Sequence, residues 1–122
     1  MFELHHLTAM EQLDWLRRGE ITPTDLTAHY LERIARLDGE LGAFAEVTAG
    51  AARERAIAVA DQSRALPLWG LPLADKDLVA RAGVPTRYGS RLFVDHIPTA
   101  SDELAVVLDD SGAVSLGKTS AP

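Results

Sequence analysis

An apolar run from Leu66 to Ala74 leads without a break into three consecutive charges, Asp75, Lys76 and Asp77, after which apolar Leu78 and Val79 follow. Ionised side chains are costly to take out of water unless they are paired. Such a cluster therefore marks either a strand end reaching solvent or a working site. Alternation along a strand turns Asp75 and Asp77 to the face opposite Lys76. For Lys76 to act as a base it must be neutral, so its ordinary pKa of about 10.4 must come down to roughly 7 to 8 through burial or cationic neighbours. The two aspartates push the other way.

The rest of the chain gives this run its setting. Thr8 and Glu11 form a Thr-x-x-Glu capping box, Met10, Leu13 and Leu16 share one side, and Gly19 can stop the segment, which predicts a helix from Ala9 to Arg18. Thr22 as N-cap, Pro23 at the first helical position and the spacing of Leu26, Tyr30, Ile34 and Leu37 predict a second helix ending at Asp38-Gly39. A short extended piece is expected over 43–47, then an alanine-rich structural helix over 50–64 with its charges mainly outward. The second strand is expected over 71–79 and a turning loop around Gly83 to Gly89. Pro98 and Thr99 to Asp102 then open a helix with Leu104, Val107 and Leu108 as its apolar stripe and Ser111-Gly112 as its stop, and a third strand is expected over 113–116. Strands separated by helices of this length indicate an α/β protein with at least partly parallel pairing.

At 122 residues and 47% hydrophobic, the chain has material for one modest core. A net charge of -6 argues against contact with nucleic acid or an anionic membrane. With no cysteine there is no disulfide, thiolate metal site or cysteine nucleophile, which fits a reducing compartment. Met1 to Leu7 lacks a basic stretch leading into an apolar one, and no apolar run reaches about 18 residues, so a cytoplasmic protein is expected. His5, His6, His29 and His96 have no second ligand at the i, i+4 spacing of a helical metal site and are read as polar surface positions; no metal or cofactor is expected. Gly112 to Thr119 satisfies the Gly-x-x-x-x-Gly-Lys-Thr pattern of a phosphate-binding loop. Its context is wrong, because a helix precedes Gly112 and the four variable positions are themselves strand-like, so nucleotide binding ranks last.

Read together, Leu68-Trp69-Gly-Leu-Pro-Leu-Ala-Asp-Lys-Asp-Leu, Ala82-Gly-Val-Pro-Thr with Gly89-Ser90, Pro98 with Ser101-Asp102, and Ser111-Gly-Ala-Val-Ser-Leu-Gly-Lys-Thr resemble the amidase signature family in wording, order and spacing. Each motif alone is weak; four in order are specific. The resemblance implies an α/β/α fold with a mixed sheet, of which residues 1–122 are one partial domain: an N-terminal helix and connector over 1–22, then the start of the core over 23–122. It also implies cleavage of a carbon-nitrogen amide bond in a small molecule by a serine nucleophile. In that family a lysine in the Lys-Asp position accepts a proton relayed by a second serine held by a cis peptide.

By that resemblance Lys76 is the one catalytic residue that can be placed, and the Asp after it matches, while the position of Asp75 is usually apolar. Ser90 and Ser120 are not in the family's glycine- and serine-rich wording, so neither receives the nucleophile role. A lysine without attacking oxygen and oxyanion donors cannot assemble acyl-transfer geometry. The isolated chain is therefore expected to be inactive, with self-association or a complementing chain to cover an unpaired sheet edge. A non-catalytic remnant or interaction module is the alternative. A transferase component that releases ammonia for transfer onto charged tRNA ranks behind the hydrolase.

Overall fold

The computed structural model describes residues 3–122; Met1 and Phe2, part of the N-terminal stretch read above for a leader, lie outside the described residues. A short 3-10 turn at Leu4–His6 precedes α1 (Ala9–Arg18) and α2 (Pro23–Leu41). β1 (Phe44–Val47), α3 (Ala49–Ala60), β2 (Pro72–Lys76), a second 3-10 turn at Arg91–Phe93, α4 (Glu103–Asp110) and β3 (Val114–Thr119) follow.

Both N-terminal caps form as their residues dictate. The Glu11 amide donates to the Thr8 hydroxyl at 3.1 Å while the Thr8 amide donates to the Glu11 carboxylate at 2.9 Å, and Thr22 and Asp25 repeat the arrangement at 3.1 and 3.0 Å. Each such cap contributes about 1 kcal/mol. Gly19 closes α1 in the left-handed conformation. The second helix outruns its expected stop: it passes Gly39 and closes at left-handed Gly42. Asp38 does not end the helix but accepts the Ala43 and Phe44 amides at 2.8 and 3.1 Å, steering the chain into β1.

The sheet has the order β1-β3-β2, with β2 parallel and β1 antiparallel to the central β3. The parallel pair fits the α/β pattern, and the mixed sheet is what the family resemblance implied. β3 is longer than the four residues expected because the Gly-Lys-Thr sequence continues the strand. Gly117 permits that: a Cβ there would stand 2.2 Å from the Glu46 carbonyl oxygen, so β1 could not approach any other residue so closely.

α3 packs on β3, and α2 packs on α3. Their shared core holds Leu26, Leu31, Ala52, Ala56, Val59, Val114 and Leu116. The small Ala52 and Ala56 let α3 lie close, and Trp69 fills the end of the core with its indole donating to the Val59 carbonyl at 2.8 Å. Two expectations for helices are corrected. α3 stops at Ala60, and its Arg55 is half-buried, donating to the backbone oxygens of Ala113 at 3.3 Å and Asp109 at 2.5 Å. In α4 only Ala105 is buried; of the expected apolar stripe Leu108 is half-buried, whereas Leu104 and Val107 are exposed.

Candidate active site

β2 runs into its charged end in register with β3, Asp75 opposite Lys118 and Lys76 opposite Thr119. The alternation expected of a strand holds. Asp75 and Asp77 are buried, at 5% and 1% exposure, and Lys76 between them is exposed. The chain turns at once: the Lys76 carbonyl accepts the Leu78 amide at 2.6 Å and the Val79 amide at 2.9 Å, while the Asp77 amide donates to the Thr119 carbonyl at 2.8 Å. The strand expected to reach Val79 therefore ends at Lys76, which stands at its C-terminal lip.

Each aspartate has its own cation. Asp75 binds the Arg81 guanidinium through a short contact from Nε and accepts the Ser115 hydroxyl at 2.9 Å. Arg81 also donates through Nη1 to both carboxylate oxygens of Asp109 at 2.9 Å. Burial disfavours the charged guanidinium, yet its hydrogen bonds to Asp75 and Asp109 outweigh this and raise its pKa. Asp77 accepts the Arg87 amide at 3.1 Å and lies 3.4 Å from the ammonium of Lys118. Arg87 in turn reaches Glu46 at 3.3 Å on β1. Sequence reasoning missed Arg81 and Lys118. For Lys118 a signal existed, since it follows Val114 and Leu116 at the period of a buried strand face.

The serines denied a nucleophile role are occupied structurally: the Ser120 hydroxyl donates to the Gly42 carbonyl at 2.9 Å, and Ser90 accepts the Leu92 amide at 3.2 Å. The histidines are less scattered than their spacing suggested. Ligand atoms of Glu3, His5 and His6 come within 4.8 Å of one another. His5 is half-buried, with Nδ1 2.9 Å from His29 Nε2 and Nε2 3.0 Å from the Arg33 guanidinium, so protein groups already engage both ring nitrogens.

Among known proteins, the Amidase family profile matches residues 25–122. The chain is 42% identical over 121 residues to a glutamyl-tRNA(Gln) amidotransferase subunit of Desulforapulum autotrophicum, covering 96% of this chain and 24% of that protein. It is 40% identical to the protein of the same name from Moorella thermoacetica, covering 95% of this chain and 25% of the relative. The chain thus spans about a quarter of the length of these curated relatives. In three dimensions it resembles the peptide amidase of Stenotrophomonas maltophilia, with a TM-score of 0.80 and 35% identity over 87% of this chain and 23% of that one. The relatives carry the transferase name that sequence reasoning placed behind the hydrolase, while the structural neighbour is a hydrolase by name. On the profile match, the identities and the shared fold, this chain belongs to the amidase signature family.

Proposed function

We propose that these residues form the part of an amidase-signature domain that holds its proton-accepting lysine, and that Lys76 is that lysine. In the complete domain a serine hydroxyl attacks the carbonyl carbon of an amide, and its proton passes through a second serine to Lys76. The observation that carries this reading is the position of Lys76. It is exposed at the lip of β2 while the carboxylates on either side of it face the other way. On that other face Asp75 pairs with Arg81 and Asp77 with Lys118, so each carboxylate has a cation of its own.

Lys76→Ala in the full-length protein tests the reading. Amide turnover is expected to fall by about 10²- to 10⁴-fold. The melting temperature should hold, because replacing an exposed side chain usually shifts stability by less than about 0.5 kcal/mol. Retained wild-type turnover would remove Lys76 from the mechanism, whereas a full-length wild type with no turnover would favour the non-catalytic alternative.

A second reading rests on the 42% and 40% identical relatives, whose name makes each of them one component of an amidotransferase; by that likeness the whole protein acts with a complementing chain. Ammonia released from glutamine only when a co-purifying chain is present favours this reading. Turnover of simple amides by the full-length chain alone favours the hydrolase.

A further inference from the structure

Lys118 is the largest side chain wholly withdrawn from solvent among the described residues. An ammonium in such a place must spend its donors on oxygen. Its Nζ makes a short bond to the Val79 carbonyl, donates to the Thr86 hydroxyl at 3.1 Å and pairs with Asp77 Oδ1 at 3.4 Å. Oδ1 has no hydrogen-bond partner, so Lys118 is its electrostatic counterpart. The Thr86 hydroxyl, fully buried, donates onward to the Val84 carbonyl at 3.1 Å. The three oxygens facing Nζ belong to one stretch, residues 77–86, which leaves the sheet immediately after Lys76. The lysine of the Gly-Lys-Thr motif is thus committed to the protein's own oxygens, with none of its surface open to a phosphate.

We propose that Lys118 is a positioning residue for Lys76. Its ammonium ties both ends of the 77–86 turn to β3 and so fixes the point at which β2 presents Lys76. The Lys76 carbonyl already closes the turn by accepting the Leu78 and Val79 amides, and Lys118 holds the carbonyl of the same Val79. Releasing Nζ frees Val79 and leaves the Asp77 carboxylate buried without a cation. The turn relaxes, and Lys76 moves with it. This inference rests on the reading of Lys76 as the proton acceptor, and a displacement of about 1 Å at such a group can cost on the order of 100-fold in rate.

The test uses the full-length protein and a fluorophosphonate probe. A serine oxygen bonds to phosphorus, fluoride leaves, and the serine proton passes to the base. Labelling rate per folded molecule is measured against pH for wild type, Lys76→Ala, Lys118→Met and Thr86→Val, with Val114→Ala as a control for destabilisation elsewhere in the β3 core. Lys118→Met is expected to slow labelling by about 10- to 100-fold. It should also displace the acid limb of the pH profile, while Thr86→Val, which removes one of the three oxygens, does the same to a smaller degree. Val114→Ala should lower the melting temperature and leave rate and limb unchanged. Wild-type labelling by Lys76→Ala would sink the proton-acceptor reading and this inference with it. If Lys76→Ala is slow while Lys118→Met and Thr86→Val label like wild type, Lys118 is only structural. Should Lys118→Met fail to fold, Thr86→Val decides alone: an unmoved rate and limb overturn the proposal.

Discussion

At the scale of single residues, Asp75 carries the clearest energetic argument. Its side chain is 2% exposed and that of its partner Arg81 13% exposed, so their pairing is largely shielded from water. Removing one member of such a pair is costly because the other stays buried and uncompensated, whereas replacing both with apolar groups is often neutral or better. Arg81→Leu is expected to lower unfolding free energy in urea by about 3 kcal/mol. The double change Asp75→Ile with Arg81→Leu should recover most of that loss. A double variant no more stable than Arg81→Leu would show that the destabilisation comes from lost packing or from Asp109. The sequence displayed Asp75 as an oddity in an apolar run and offered no partner. The turn after Lys76 brings Arg81 back over the strand, and that turn is fixed by backbone hydrogen bonds and by Lys118 on a strand some 40 residues further on.

Among the elements, those specified by neighbouring residues were the most legible. α1 starts and stops where its capping box and Gly19 put it, and the start of α2 follows Thr22 and Pro23. The stop expected for α2 at Asp38-Gly39 was passed over, and the helix closes three residues later at left-handed Gly42. The first 3-10 turn was not legible, because besides its own Glu3 and His6 contacts it is held by residues on other elements. Gln12 on α1 donates to the Leu4 carbonyl at 3.2 Å, and His5 meets His29 and Arg33 on α2. The pKa of His5 is lowered, first by burial and then by Arg33, with His6 and His29 adding to the effect and Glu3 opposing it. The fold therefore favours the neutral ring. Between the unfolded pKa of about 6.5 and the lower folded one, the unfolded chain binds more protons. This contribution is intact above about pH 6.5 and is lost as pH falls through the folded value. Thermal unfolding between pH 7.5 and 5 should show a steeper loss of stability in wild type than in His5→Gln. Parallel curves would assign the pH dependence to other groups.

For the molecule as a whole, an α/β fold with partly parallel pairing could be anticipated from the alternation of strand and helix signals, and a mixed sheet from the family resemblance. Which surfaces stay open could not. β1 and β2 each present one edge to which no described strand pairs. Leu92 is 90% exposed, and Ile97, Leu104 and Val107 are each more than half exposed. Helical spacing identifies an apolar stripe on α4 but not what covers it. Open sheet edges and exposed apolar side chains favour association. A polypeptide limited to these residues is expected to sediment with a concentration-dependent mass. A 13.2 kDa species at every concentration tested would overturn that expectation. No helix among the described residues is long and apolar enough to cross a membrane.

The strand order also dictates a sequence of events in time. β3 lies at the centre of the described sheet yet follows both of its neighbours in the chain, so during synthesis β1 and β2 leave the ribosome before the described strand that pairs with each of them. α1 and α2, defined by their own caps, can form first. Neither strand pair can form before β3 is made, and the long separations between β3 and its partners slow their closure. Lys118 arrives with β3, so the turn beyond Lys76 acquires its anchor only when the sheet closes.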